Sequence, residues 1–282
     1  MTLIDNDAVR SEGPPRASTA PLGLEPVAPN LPAQVGTGDR SEASGERRPA
    51  RPREDTPVPS VGARIALFDL DHTLIPIDSD FEWGEFTMAL GWCDATDFKR
   101  RNAEFFAHYQ AGTLDIHDYV RFATQAIRTQ GATKSIAAHA RFMREIVQKN
   151  IQAAALALVR QHQTAGDQVV IVTATNEFVT RPIAAAFGVA ELIAVELERD
   201  ASGEPTGEIL GIPSFREGKV ARVQQWLAKR NLAWDTVEST FYSDSMNDLP
   251  LLEKVTHPVA TNPDARLRAL ATERGWRILE LF

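Results

Sequence analysis

The stretch Ile65-Ala66-Leu67-Phe68-Asp69-Leu70-Asp71-His72-Thr73-Leu74 constrains this chain more than any other, because an unbroken apolar run leads straight into two carboxylates. A run of that length, bounded upstream by Gly62 and Arg64, predicts a strand buried on both faces, as in parallel α/β sheets. Such sheets bind ligands at the carboxyl ends of their strands, where Asp69 and Asp71 stand. At a spacing of two, both acids project from one side if the strand keeps its pleat. Two anions buried together without a counter-charge are very costly, so a cation is expected beside them. Taken alone, the pair would equally suit a strand-to-turn junction with solvated acids.

Three later stretches bear on that choice. Asp167-Gln168-Val169-Val170-Ile171-Val172-Thr173-Ala174-Thr175-Asn176 predicts a second buried strand ending in small hydroxyl residues, with a helix starting near Asn176 or Glu177. Thr173 and the backbone N–H groups beyond it offer neutral donors for a phosphate oxygen, although a Thr here also serves simply to cap a helix. In Phe215-Arg216-Glu217-Gly218-Lys219-Val220, Lys219 opens a helix whose apolar positions are Val220, Val223, Trp226 and Leu227. A cation in the first turn opposes the helix dipole, which favours a functional role for Lys219 over a surface one. Finally, Thr240-Phe241-Tyr242-Ser243-Asp244-Ser245-Met246-Asn247-Asp248-Leu249 again runs a strand into acids and then a helix, although acids at a helix start are also ordinary.

Between the first strand and a helix expected over Gln152–Gln163, the apolar period changes from 2 to 3.6. Phe81, Trp83, Phe86, Met88, Ala89 and Leu90 mark one helix, and Phe98, Phe105, Phe106 and Tyr109 a second. Tyr119, Phe122 and Ile127 mark a third, and Ile136, Phe142, Met143, Ile146 and Val147 a fourth, with breaks at Ala111-Gly112 and Gln130-Gly131. The aromatic stripes are expected to be core. After a strand expected over Leu192–Leu197, the run Asp200-Ala-Ser-Gly-Glu-Pro-Thr-Gly predicts a hairpin. The end of the chain predicts two edge strands flanking one helix.

Residues 1–60 differ from the remainder: they hold ten of the 17 prolines and no aromatic residue. Such a segment cannot bury enough apolar area to offset its conformational entropy, so it is expected to be a disordered tail. Its composition suits neither a signal peptide nor an organelle transit peptide, and a translation start at Val61 is an alternative expectation. Cys93 is the single cysteine, which suits a reducing, cytoplasmic setting and excludes an internal disulfide. No apolar run approaches the length of a membrane span, so no membrane is expected as a partner. The net charge of −8 without a basic stripe argues against nucleic acid. Six histidines without close spacing argue against zinc. His72, beside the acids, is expected to be solvated or to give hydrogen-bonded support. Nothing in the sequence specifies an oligomeric state.

Phe68-Asp69-Leu70-Asp71-His72-Thr73-Leu74 resembles the first motif, hhhhDxDxT, of the haloacid dehalogenase superfamily, and most closely its phosphoserine phosphatase-like branch, including its alternative histidinol-phosphatase type. Thr173 matches the family's second motif, Gly218-Lys219 its third, and Ser243-Asp244-Ser245-Met246-Asn247-Asp248 its fourth, GDGxxND. Two departures stand out: Ala174-Thr175-Asn176 replaces the usual glycines after Thr173, and Ser243 and Ser245 replace glycines of the fourth motif. The resemblance implies an α/β fold, a doubly wound parallel-sheet core over 61–80 and 150–282, with a helical cap over 81–149 inserted after the first strand. It implies a Mg2+-dependent phosphatase acting on a small phosphorylated metabolite. Asp69 would be the nucleophile and Asp71 the general acid and base. The carboxylates of Asp69 and Asp244 and the backbone carbonyl of Asp71 would hold the metal. Thr173, Ala174, Lys219 and Asn247 would bind the phosphate, with Asp248 supporting Lys219. A phosphotransferase shares this machinery, and a non-enzymatic phospho-receiver is the alternative from another class. A dehalogenase is disfavoured because that branch lacks the second Asp.

Phosphoserine phosphatases of this family hold the substrate ammonium with a Glu nine residues after the nucleophile, and Asp78 occupies that position here. Between Ile75 and Asp97 the chain has Asp78, Asp80, Glu82, Glu85, Asp94 and Asp97 and no Lys or Arg. Acids also gather at helix starts for dipole reasons alone. Read functionally, an acidic entrance favours a cationic leaving group without a carboxylate, which ranks L-histidinol phosphate ahead of phosphoserine.

Overall fold

In the computed structural model, which describes residues 62–282, the first apolar run forms strand β1 (Ala63–Phe68), with Ile65 to Phe68 buried. The tail expected over residues 1–60 lies outside the described residues. Helices α1 (Ser79–Ala89), α2 (Ala95–Ala111), α3 (Ile116–Ala123), α4 (Gln125–Gln130) and α5 (Ala132–Phe142) follow. A π-helical turn, Met143–Val147, and a single turn α6 (Gln148–Asn150) lead into α7 (Ala153–Thr164). Next come β2 (Gln168–Asn176), α8 (Glu177–Ala186), β3 (Glu191–Val195) and the hairpin of β4 (Leu197–Arg199) with β5 (Pro205–Ile209). The chain ends with α9 (Glu217–Ala228), β6 (Val237–Ser243), a 3-10 turn at Met246–Asp248, α10 (Leu249–Leu252), β7 (His257–Thr261), α11 (Ala265–Arg274) and β8 (Arg277–Leu279).

Six strands make one sheet in the order β3-β2-β1-β6-β7-β8, parallel at every pairing. Both faces of that sheet are covered, which explains why its strands read as continuous apolar runs. On one face Phe68, Ile171 and Tyr242 pack with Val159 and Trp83. On the other, Leu67, Val170 and Phe241 pack with Val223 and Leu227 of α9. Each such side chain, fully buried, contributes about 1.5–3 kcal/mol of transfer free energy. Chain order reverses at β1, with β2 and β3 on one side and β6 to β8 on the other. The carboxyl end of β1 is therefore the crevice where an open α/β sheet binds its ligand.

Several local expectations are refined. The third expected helix is two, α3 and α4, because Thr124 turns its hydroxyl back onto Val120 O at 2.7 Å and ends α3. The strand expected over Leu192–Leu197 divides between the main sheet and the hairpin. Only β8 is a sheet edge at the end of the chain, since β7 lies between β6 and β8. The aromatic stripe of α2 is not core: no residue of α2 is fully buried, Phe106 is 57% exposed, and Ile136 of α5 is 61% exposed. α2 is an outer helix that packs by one edge, Phe98 and Phe105 lying against the Phe122 ring at 4.8 and 5.1 Å. Gly112 ends it in a left-handed cap with φ 73. Among the described residues no helix is long and apolar enough to cross a membrane.

Candidate active site

Hydrogen bonding of β1 to β6 continues one residue past the strand, Asp69 N donating to Tyr242 O at 2.9 Å. Beyond it the pleat is lost. The N–H groups of Thr73, Leu74 and Ile75 all turn back to Leu70 O, and His72 takes a left-handed backbone with φ 57. Asp69 and Asp71 therefore do not act as a same-face pair: the strand stops at Phe68, and the loop sends their side chains to different partners. The His72 side chain is exposed, and its contribution is the turn itself, its carbonyl held by Asn262 Nδ2 at 3.0 Å.

The expected cation is Lys219. It sits in the first turn of α9 at 2% exposure, with Nζ 2.8 Å from Asp69 Oδ1 and 2.7 Å from Asp248 Oδ2. Burial opposes the ammonium charge, but Asp248 and Asp69 together outweigh it, and the Lys219 pKa is raised. Gly218 lets α9 begin here: a Cβ at this position would stand 2.0 Å from Pro213 O. Ser243 Oγ donates to the same Asp248 oxygen at 2.7 Å, so one of the two serines in glycine positions supports the lysine's partner.

Asp244 joins the cluster through Thr73. The Thr73 hydroxyl is shared between Asp244 Oδ1 at 3.1 Å and Asp69 Oδ2 at 3.4 Å, and it accepts from Asp244 N at 3.1 Å. Burial, then Asp69 and Asp248, hold the Asp244 carboxyl well above the ordinary range. Asp71 turns toward β2 and α1: Oδ2 accepts from Thr175 Oγ1 at 2.9 Å and Oδ1 from Ser79 N at 2.8 Å. Burial, then Asp78, push Asp71 up to about 8, with Asp69 adding to the rise and the Ser79 N–H opposing it. The environment thus favours the protonated form of Asp71.

Thr173 is buried in β2, which runs three residues beyond it to Asn176. Its Oγ1 accepts from Thr175 N at 3.1 Å, which leaves its hydroxyl proton free to be donated. Ala174, beside it, is half-buried. Asn247 lies on the loop after β6, its Oδ1 3.3 Å from both Nε and Nη2 of Arg216. Asp78 is the N-cap of α1, its Oδ1 accepting from Asp80 N and Phe81 N at 3.0 and 2.9 Å. The more buried acid of that helix is Asp80, 7% exposed, which takes a bond from Asn176 Nδ2 at 3.3 Å and is pushed up to about 7 by burial and then by Asp78.

Reading the sequence assigned no individual role to Thr73, Thr175, Ser79, Arg216 or Tyr109, and took Asp80 only as one acid of the entrance. Thr73 and Thr175 carried a usable signal, since each stands two residues from a quoted motif residue on a strand or its continuation. Arg216 and Tyr109 carried none, because their partners are 31 and 136 residues away.

Comparison with known proteins bears on the family and the fold. The haloacid dehalogenase-like hydrolase family matches residues 66–253. The chain is 40% identical over 216 residues to a histidinol-phosphatase of Neisseria meningitidis serogroup C, covering 76% of this chain and 97% of that one. It is 32% identical over 216 residues to phosphoserine phosphatase SerB1 of Mycobacterium tuberculosis, covering 76% of this chain and 69% of that one. A crystal structure of a Bordetella pertussis protein of unknown function shares 47% identity and a TM-score of 0.74, covering 78% of this chain and 100% of that one. Substrate-bound phosphoserine phosphatase shares the fold, with a TM-score of 0.55 at 15% identity over 77% of this chain and 92% of that one. With sequence, fold and strand-end acids in agreement, the chain belongs to the haloacid dehalogenase-like hydrolase family, among relatives that are phosphatases.

Proposed function

We propose that this protein is a magnesium-dependent phosphomonoester hydrolase that works through an aspartyl phosphate on Asp69, with L-histidinol phosphate as its first substrate. The observation that carries this reading is the division of labour between two neighbouring acids. Asp69 is held on Lys219 Nζ at 2.8 Å, while Asp71, with a pKa near 8, is held apart by Thr175 and Ser79. One is placed on a lysine as a nucleophile, and the other is set to act as an acid.

The donor set fits magnesium. Thr73 draws the Asp69 and Asp244 carboxylates together, and Lys219 bridges Asp69 and Asp248 beside them. The proposed donors are the two carboxylates of Asp69 and Asp244 and the backbone carbonyl of Asp71, oxygen ligands of the kind magnesium takes. Bound there, the ion would reduce the repulsion between an anionic nucleophile and an anionic phosphoryl group. Asp69 attacks phosphorus in line with the ester oxygen, and the P–O bond to the leaving group breaks. Asp71 gives its proton to that leaving oxygen, then takes one from the water that hydrolyses the aspartyl phosphate. Lys219, the Thr173 hydroxyl and the Asn247 amide receive the equatorial oxygens. Residues 81–149 act as the cap that shields the site from water and selects the leaving group.

The ranking of substrates draws on the Neisseria relative and on the acidic start of α1. Capping occupies Asp78 Oδ1 and leaves Oδ2 for an ammonium. Steady-state kinetics on L-histidinol phosphate and L-phosphoserine, with and without magnesium, test the reading. Expected are a metal requirement and a larger kcat/KM for histidinol phosphate. A larger value for phosphoserine reverses the ranking, and metal-independent turnover removes the proposed chemistry.

A further inference from the structure

Arg216 stands three residues before Lys219, in a stretch where the sequence reading gave a role only to Gly218 and Lys219, and three features set it apart. Its backbone, at φ 51 and ψ −122, lies in a region that L-residues rarely adopt, yet it forms the N-cap of α9. Its guanidinium stacks on the adjoining Phe215 ring at 4.9 Å and directs Nε and Nη2, each at 3.3 Å, to one neutral acceptor, Asn247 Oδ1. The same group closes on the helical segment: a Cβ on Gly112, at the end of α2, would lie 2.9 Å from Arg216 Nη2.

A guanidinium can only donate, so it determines which way the Asn247 amide faces: the oxygen must point at Arg216 and the NH2 away from it. On the other side the hydroxyl of Tyr109 of α2 lies 3.2 Å from Ser245 Oγ, which in turn accepts Asn247 N at 3.2 Å. The amide NH2, turned away from Arg216, is left to donate to a ligand. The loop that presents Asn247 is thereby held by the core through Arg216 and by the helical segment through Tyr109.

We propose that Arg216 is a positioning residue for phosphoryl transfer: by taking Asn247 Oδ1 on two N–H donors it fixes the amide so that NH2 is presented to the phosphoryl group. The inference rests on the proposed phosphatase function, in which Asn247 meets the substrate phosphate. It also gives the strained backbone a purpose, because the unusual φ sends Arg216 to the loop after β6 while Lys219, one turn on, enters the acid cluster.

A double-mutant cycle on the full chain tests it, with p-nitrophenyl phosphate as substrate and orthovanadate as phosphoryl probe. Arg216→Gln should lower kcat/KM by about 10–100-fold, the scale of losing a supporting hydrogen-bond partner, with the melting temperature unchanged. Arg216→Lys should recover little, since an ammonium keeps the charge but loses the fork. In an Asn247→Ala background, Arg216→Gln should cost nothing more in turnover or in vanadate affinity. Equal losses in both backgrounds, full rescue by Lys, or an unaffected Arg216→Gln enzyme would each overturn the proposal. If Asn247→Ala is silent while Arg216→Gln is not, Arg216 acts on something else and Asn247 loses its phosphate role. If the wild-type chain releases no phosphate, the phosphatase reading falls and this proposal with it.

Discussion

Two acidic regions of this molecule look alike in sequence and differ in what the fold does with them. At the ends of β1 and β6, Asp69, Asp244 and Asp248 gather around Lys219 and two hydroxyls, Thr73 and Ser243. At the starts of α1, α2 and α3, Asp78, Asp94 and Asp115 each accept backbone N–H groups of their own helix. The first group is crowded, with Asp69 and Asp248 buried on one cation and Asp244 half-buried beside them. The second is dispersed, and the N–H groups that no helix can pair internally meet its needs locally. Acid count is therefore a poor guide to chemistry, and a place at the end of a buried apolar strand is a better one.

The comparison is broken most sharply at the nucleophile. Asp69→Asn is nearly isosteric and removes a buried charge, so it should reduce turnover by more than ~10^4-fold, the scale of losing a nucleophile. Circular dichroism and melting temperature should show the fold intact, and substantial residual phosphate release would remove Asp69 from its role. Next in size, Lys219→Met leaves Asp69 and Asp248 buried without their cation and should cost about 3–5 kcal/mol in urea unfolding without magnesium. A cost below about 1 kcal/mol would mean that the strand-end acids do not depend on it.

Asp80 lies between the two groups, a helix-start acid that is buried. Its pKa is about 7 in the folded chain against an ordinary 3.8, because burial, then Asp78, favour the proton. The folded state therefore holds a proton that the unfolded chain releases. That contribution is complete below about pH 4 and is lost as the pH rises through 7. Asp80→Asn should flatten this slope and raise stability at pH 8 by about 1–2 kcal/mol; an unchanged slope would show that the carboxylate is compensated. Smallest are the caps, where Asp78→Ala and Asp94→Ala should each cost about 1 kcal/mol. If Asp78→Ala also lowers kcat/KM for histidinol phosphate more than for p-nitrophenyl phosphate, and Asp94→Ala does not, Asp78 binds the amine as well as capping. Equal effects on both substrates would leave it a cap.

The sequence by itself determined where the strands lie, because a sheet covered on both faces demands continuous apolar runs, and these are visible at Ile65–Phe68, Val169–Val172 and Phe241–Tyr242. It also determined that these runs lead into Asp69, Thr173 and Asp244 in that order, with Lys219 at the start of a helix between the last two. It misplaced the aromatic stripe of α2, expected as core and found on an outer helix, since periodicity marks a face without saying what covers it. Tertiary structure alone decided which acids meet: β1 sits between β2 and β6, bringing Thr175 to Asp71 and Asp244 to Thr73 across 104 and 171 residues. It alone decided that the Asp71 pKa is raised, because desolvation depends on everything packed around a group and not on its neighbours in the chain. For the same reason the bond of Arg216 to Asn247 was invisible beforehand: it exists only once a strained turn before α9 and the loop after β6 are folded against each other.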